Sequence, residues 1–85
     1  MAKYRKKPVV IEAIQVVAHD QEYVAYWCGG RAIRNENKHA MGIDVKTLEG
    51  TMHADLGDWV IKGVKGEFYP CKPDIFDMTY ELVVE

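Results

Sequence analysis

Aromatic side chains close to basic ones are the residues in this sequence best suited to hold a ligand. Trp27 and Arg31 flank a pair of glycines in the least regular part of the chain, and Tyr69 and Lys72 lie close together further on. An aromatic face beside a cation can stack on a base or hold an anionic group, and irregular segments commonly carry binding residues. We therefore predict a pocket for a small anionic, nucleotide-like ligand formed by Trp27, Arg31, Tyr69 and Lys72.

A basic segment opens the chain and is a second candidate for contacts with phosphate, the alternative being a solubilising arm. Its basic residues are Lys3, Arg5, Lys6 and Lys7. Beyond this segment, seven positive charges face thirteen negative ones, so the rest of the chain carries a net charge of -6. A nucleic-acid-binding domain needs a basic face across its surface. Binding to nucleic acid is therefore not expected.

Residues capable of catalysis or metal binding are present but poorly spaced for either task. The set comprises His19, Cys28, His39, His53 and Cys71. Zinc ligands usually come in close pairs such as C-x₂-C or H-x₃-H, and none of these five is so paired. A catalytic cysteine needs a depressed pKa, whereas Cys28 is predicted at a helix C-terminus, where the dipole disfavours the thiolate. We expect no metal, no cofactor and no catalytic residue, and hence no enzyme.

Glycines spaced three apart, Gly63 and Gly66, resemble part of a phosphate-binding loop. Such a loop opens a helix after a strand, whereas these glycines join one strand to the next. The carboxylates are likewise spread over turns, and no two of them are distinguished by their surroundings. An enzyme would require a cleft in which two titratable groups converge.

Length and composition predict one domain that spans residues 1–85. A domain of this size buries about 60 to 65% of the surface of its unfolded chain, so self-association is expected. Apolar runs fall short of the roughly 20 residues that cross a bilayer. The basic start resembles a secretory signal, but Glu12 and Gln15 interrupt the apolar stretch that follows it. We expect a cytoplasmic protein with free, packed thiols.

The first half of the chain predicts one strand and one helix. Residues 8–17 are rich in β-branched side chains on both faces, which is typical of a strand covered on each side or paired in a homodimer. Residues 20–28 predict a short helix that ends at Gly29, with Tyr23, Val24 and Trp27 packed on a sheet.

The second half predicts a β-meander over residues 43–71, in which four short strands are separated by glycine-containing turns. A short strand around residues 32–34 is also possible. Pro73 suits the start of a helical turn with Ile75 and Phe76 facing inward, and residues 78–84 predict a last strand. The fold class is α+β: a small antiparallel sheet of five to six strands, or a partly open barrel, with one short helix packed on it.

Three segments, KYRKKPVVIEAIQ, TLEGTMHADLGDWVIKGVKGEFYPC and KPDIFDMTYE, resemble a family of small proteins of bacteriophages and prophages. The chain is more loosely similar to bacterial proteins with a Pro-Gly-Asp-Tyr-Gly motif, where it reads Leu-Gly-Asp-Trp-Val from Leu56 and matches two of five positions. The resemblance implies an origin and transfers no active site.

Together these features predict a phage accessory protein that acts by non-enzymatic binding of a small anionic ligand. The alternative is a protein that inhibits a host protein by covering it with an exposed apolar or acidic surface. A component of the virion or of its assembly is the remaining possibility.

Overall fold

The computed structural model describes residues 1–84 and contains six strands and two α-helices. In chain order the elements are β1 (Glu12–Gln15), α1 (Gln21–Cys28), β2 (Arg31–Arg34), β3 (Ala40–Thr47), β4 (Gly50–Ala54), β5 (Trp59–Lys62), β6 (Phe68–Cys71) and α2 (Pro73–Thr79). A single 3₁₀ turn, Ala18–Asp20, leads into α1. The α+β class is confirmed, and Glu85, the last residue of the predicted domain, lies outside the described part.

The strands form two antiparallel sheets of three strands each, in the orders β1-β5-β6 and β2-β3-β4. The prediction of one sheet of five to six strands was therefore wrong, as was that of a continuous meander. The turn after β4 explains the difference, because its backbone bonds to Val16 on another part of the chain. Val16 N–H donates to the Asp58 carbonyl (2.8 Å), and Gly57 N–H donates to the Val16 carbonyl (2.7 Å). These bonds direct β5 onto β1, away from β4.

The hydrophobic core lies between the two sheets and α1. Its fully buried members are Val16, Val24, Ile43, Val45, Ala54 and Val60. They come from β3, β4, β5, α1 and the segment after β1, so both sheets contribute to one core. At about 25 cal/mol per Å² of apolar surface removed from water, this burial is the main stabilising term of the fold.

Helix α1 covers β2 and β3. Of the three residues expected to pack on a sheet, Val24 is buried and Trp27 packs against the core, whereas Tyr23 does not. The buried residues of α1 are Gln21, Val24, Ala25 and Cys28. Their spacing of three and four residues places them on one stripe, and Tyr23 lies off that stripe with 58% of its surface exposed. The helix ends as expected at Gly29, which has a φ of 67°, a conformation that glycine adopts without a Cβ penalty.

Both ends of the chain are less regular than the sequence suggested. Residues 1–11 form no regular secondary structure, and β1 covers only four of the ten residues predicted as a strand. Its partner β5 ends at Lys62, opposite Glu12, so no neighbouring strand extends alongside residues 8–11. At the other end, α2 begins at Pro73 as expected. It runs to Thr79 through the start of the predicted last strand, and residues 80–84 form no strand.

Candidate functional site

The four residues predicted to form an anion pocket lie in different surroundings. The Trp27 ring packs edge-on against Phe68, with centroids 5.1 Å apart and an angle of 76° between the rings. Arg31 is exposed at the start of β2, opposite Asp44 on β3. Tyr69 lines two of the three cavities described below, and Trp27, Arg31 and Lys72 line none of the three. The shared pocket that the sequence suggested is absent from these cavities.

Lys72 is engaged by carboxylates and is a poor anion ligand. Its Nζ lies 3.1 Å from Asp55 Oδ2 and 3.0 Å from Asp58 Oδ2. Hydrogen bonds to Asp58 and Asp55 raise the pKa of Lys72. An anion would have to compete with two carboxylates already in contact with the ammonium group.

The basic residues of the N-terminal segment, Lys3, Arg5, Lys6 and Lys7, are all exposed. We call residues 1–11 the arm. Lys6 Nζ lies 5.0 Å from the centroid of the Tyr80 ring and 3.5 Å from its hydroxyl oxygen. This contact places the arm beside residues 80–84, which we call the tail.

His53 forms a polar cluster on the β3–β4 hairpin that the sequence analysis missed. Its Nδ1 lies 2.8 Å from Asp44 Oδ1, and its Nε2 lies 2.8 Å from the Met41 carbonyl oxygen and 3.4 Å from Asp55 Oδ1. The hydrogen bond with Asp44 is the main cause of a raised His53 pKa. Because both ring nitrogens face acceptors, the imidazolium form satisfies both, and it has no free nitrogen to act as a general base.

The register of the β3–β4 hairpin places Asp44 directly opposite His53. Opposed side chains on antiparallel strands lie close enough to form a charged pair. The two residues of the hairpin turn are Leu48 and Glu49, between Thr47 and Gly50. A turn placed one residue later, with Gly50 at its second position, would put Lys46 opposite His53, so the pair depends on a register that local turn signals do not determine.

The two cysteines are free and are suited to packing. Burial raises the pKa of the Cys28 thiol, and burial together with Asp58 and Asp74 raises the pKa of the Cys71 thiol. Both thiols are therefore less nucleophilic at neutral pH than a free cysteine. Within residues 1–84, no cluster of three or more histidine, cysteine, aspartate or glutamate side chains is arranged to hold a metal ion.

An apolar cavity of about 330 Å³ lies between the arm, β5 and the segment formed by α2 and the tail. It is lined by Val9, Val10, Ile11, Ala13, Trp59, Phe76, Tyr80, Glu81, Leu82 and Val83. We call it the apolar groove. Two of its lining residues, Trp59 and Phe76, stack on each other, with ring centroids 4.1 Å apart and ring planes 6° apart. Glu81 is the one charged residue of this lining.

Apolar side chains of the groove and of the surface next to it are exposed. Val10 is 76% exposed, Leu82 is 87% exposed, and Ile75, predicted to face inward, is 54% exposed. In α2, Phe76 is the residue that turns toward β5, because a seven-residue helix can direct only one narrow stripe inward. The neighbouring Ile75 therefore lies on the open side.

Two further cavities lie beside β6. One, of about 350 Å³, lies between the tip of the β3–β4 hairpin and β6, and its charged residues are Glu49 and Glu67. The other, of about 200 Å³, includes Lys6, Tyr69, Tyr80 and Glu67. Burial and a hydrogen bond with Tyr80 raise the pKa of Tyr69 to about 12, so its hydroxyl remains protonated at neutral pH.

Neither helix in the described residues is long and apolar enough to cross a membrane. No protein-family model matches the chain, and comparisons with curated proteins and with solved structures each find no match.

Proposed function

We propose that this chain is an accessory protein of a bacteriophage or prophage that acts, without catalysis, by binding a protein partner in the apolar groove. The phage origin rests on the three sequence segments that resemble such proteins. The binding site rests on one observation, the groove and the exposed apolar side chains that surround it.

The chemistry of the groove supports an apolar protein segment over a nucleotide as its occupant. Its lining contains no basic side chain, and its single charge, on Glu81, would repel an anion. Exposed apolar patches rimmed by polar residues mark interaction sites in soluble proteins. Burying Val10 and Leu82 under a partner would contribute about 25 cal/mol for each Å² of apolar surface removed from water.

The protonation of the reactive groups supports a role without catalysis. The raised pKa values of Cys28 and Cys71 disfavour their thiolates, and both nitrogens of His53 contact acceptors. None of these three residues lines the apolar groove. The groove therefore offers shape and apolar surface rather than acid–base groups.

Affinity capture with matched variants tests this proposal. Leu82 and Leu48 are almost equally exposed, at 87% and 83%, but only Leu82 lines the groove. We expect a host or phage protein to be captured by the wild-type chain and by Leu48→Asp, and to be depleted with Leu82→Asp in quantitative mass spectrometry. Equal recovery of every captured protein with the two variants would refute the groove as the binding site.

The same capture experiment distinguishes an inhibitor of a host protein from a protein that acts in phage assembly. A host protein in the depleted set supports an inhibitor, whereas a structural phage protein supports a role in assembly. Mass spectrometry of purified particles would also detect this chain directly if it is a virion component.

A small anionic ligand is a second candidate, favoured by the cavity of about 200 Å³ in which Lys6 lies with Tyr69 and Tyr80, and disfavoured by Glu67 in the same lining. A cation and two phenol hydroxyls could hold one phosphate group. Thermal shift against a panel of nucleotides at millimolar concentration tests it, with Lys65→Gln as the control for Lys6→Gln. Absence of stabilisation by any nucleotide would remove this candidate.

A further inference from the structure

The chain exposes more surface than a compact monomer of its mass. Its accessible surface is 6843 Å², whereas a folded 9.7 kDa monomer is expected to expose about 5100 Å². The difference is about twice the 800 Å² that each partner contributes to a standard protein interface. The Cα radius of gyration, 14.2 Å, likewise exceeds the roughly 12 Å expected for 85 residues. There is enough surplus surface for a stable interface.

This surplus includes two segments of opposite charge. The arm carries Lys3, Arg5, Lys6 and Lys7 and contains no acidic residue. Residues 73–84, which comprise α2 and the tail, carry Asp74, Asp77 and Glu81 and contain no basic residue. Each segment also exposes apolar side chains, such as Val10 on the arm and Leu82 on the tail. The two segments are complementary in both charge and hydrophobicity.

Contact within one chain leaves much of this complementarity unused. Lys6 already lies against Tyr80, and Val9 and Ile11 line the groove. Val10 and Leu82 nevertheless remain 76% and 87% exposed. The basic, apolar arm of another copy has the chemistry to cover Leu82, and the acidic, apolar tail segment of that copy has the chemistry to cover Val10.

We propose that the apolar groove binds a second copy of this chain, in a two-fold dimer in which each arm lies across α2 and the tail of the other copy. A two-fold interface is self-complementary, so the arm–tail contact occurs twice. The inference rests on the proposed use of the groove as a binding surface and names one partner for it. Apolar contacts contribute most of the affinity, and the opposite charges select the orientation.

Charge reversal provides a test with an internal rescue. One variant reverses the arm and carries Lys3→Glu, Arg5→Glu, Lys6→Glu and Lys7→Glu. The other reverses the tail segment and carries Asp74→Lys, Asp77→Lys and Glu81→Lys. Each variant alone would place like charges opposite each other in both arm–tail contacts, whereas a mixture of the two restores opposite charges in both contacts.

Sedimentation equilibrium of the full chain measures the result. We expect the wild type to dimerise, each reversed variant to dimerise at least about tenfold more weakly, and the equimolar mixture to recover the wild-type affinity. A control variant with Lys38→Glu and Lys65→Glu, outside both segments, should dimerise like the wild type. Circular dichroism of each variant verifies that it is folded, and Leu82→Asp provides a second weakened variant that leaves the tail-segment acids intact.

A wild-type chain that stays monomeric at millimolar concentration would overturn the inference. Dimers that persist unchanged in both reversed variants would also overturn it, because the interface would then lie elsewhere. Neither result decides the proposed function, since Leu82-dependent capture of another protein can occur with a monomer. Conversely, a dimer of this kind with no captured host or phage protein would overturn only the proposal that the groove binds a partner other than a second copy of the chain.

Discussion

Two regions of this molecule differ in how completely their apolar side chains are buried. In the region formed by α1 and the β2-β3-β4 sheet, which we call the closed region, apolar side chains such as Val24 and Ile43 are fully buried. In the region formed by the arm, α2 and the tail, the open region, Val10 and Leu82 are largely exposed. The closed region thus supplies stability, and the open region keeps apolar surface available for binding.

Gln21 illustrates how strictly the closed region pairs its polar groups. Its side chain is fully buried. Its Nε2 donates to the Ile33 carbonyl at 3.0 Å, and its Oε1 accepts from the Gly42 N–H at 3.0 Å. Among the described residues, no buried side-chain nitrogen or oxygen lacks a partner. A buried amide without these bonds would cost about 1 to 3 kcal/mol.

The largest expected effect on stability appears when one isoleucine from each region is replaced by alanine. Ile43→Ala removes a fully buried side chain from β3, and we expect it to lower the free energy of unfolding by about 4 kcal/mol. Ile75→Ala, on the open face of α2, should change it by less than about 0.5 kcal/mol in the monomer. Urea unfolding at a concentration below dimerisation measures both. Similar losses at the two sites would contradict the division into closed and open regions.

Gly42 tests the packing of the closed region at its backbone. It has a φ of 91°, and a Cβ at this position would collide with the Ala54 carbonyl on β4. Gly42→Ala should therefore lower the free energy of unfolding by about 3 kcal/mol. Gly50 also has a positive φ but has open space around it, so Gly50→Ala should cost about 1 kcal/mol. Thermal unfolding of the two variants distinguishes the effect of the collision from that of the backbone strain. Equal shifts in Tm would argue against a close approach of Gly42 to the Ala54 carbonyl.

Asp58 lies at the junction of the two regions and should have an intermediate effect. Its Oδ2 accepts from the Asp55 N–H at 2.9 Å and from Lys72 Nζ at 3.0 Å, and it is 4% exposed. We expect Asp58→Ala to cost about 2 kcal/mol and to accelerate amide exchange in α2, which follows Lys72. Asp55→Ala removes a more exposed contact with the same lysine and should cost less than about 0.5 kcal/mol. Unchanged exchange in α2 would mean that Asp58 does not link the regions.

The smallest expected effect is a pH dependence due to His53. Its pKa is raised in the folded protein, chiefly by Asp44, so protonated His53 stabilises the fold. This contribution is fully present below the unfolded pKa of about 6.5 and is lost as the pH rises through the higher folded value. Because the side chain is partly exposed, the change should be less than about 1 kcal/mol. The free energy of unfolding, measured between pH 5 and 9, should lose this dependence in His53→Gln and keep it in the control His19→Gln. A pH profile that His53→Gln leaves unchanged would exclude His53 as its source.

Much of the secondary structure could be predicted, because it depends on local signals. The four strands within residues 43–71 follow from alternation and turns, and the end of α1 follows from Gly29. The pairing of those strands could not be read in this way. Whether β5 joins β4 or β1 depends on bonds between Val16 and the Gly57-Asp58 turn, more than 40 residues apart in the chain.

The candidate site was less predictable than the fold. The predicted anion pocket combined Trp27, Arg31, Tyr69 and Lys72 because of their residue types. A residue type alone does not show which neighbours the side chain contacts in the folded protein. Trp27 packs on Phe68, and Lys72 is held by Asp55 and Asp58. The sequence does not indicate the apolar groove, because it predicts strands over residues 8–17 and 78–84. Strands within the sheet would bury the side chains that are exposed in the structure.

The sequence by itself determined most of the extended and helical segments between residues 12 and 77. It also determined that a basic segment precedes an acidic remainder, because both properties belong to neighbouring residues. Only the tertiary structure decided that the strands divide into two sheets and that the arm lies beside the tail. The reason is physical: the backbone hydrogen bonds and apolar contacts that select these arrangements join residues distant in the chain, and several pairings satisfy the same local pattern.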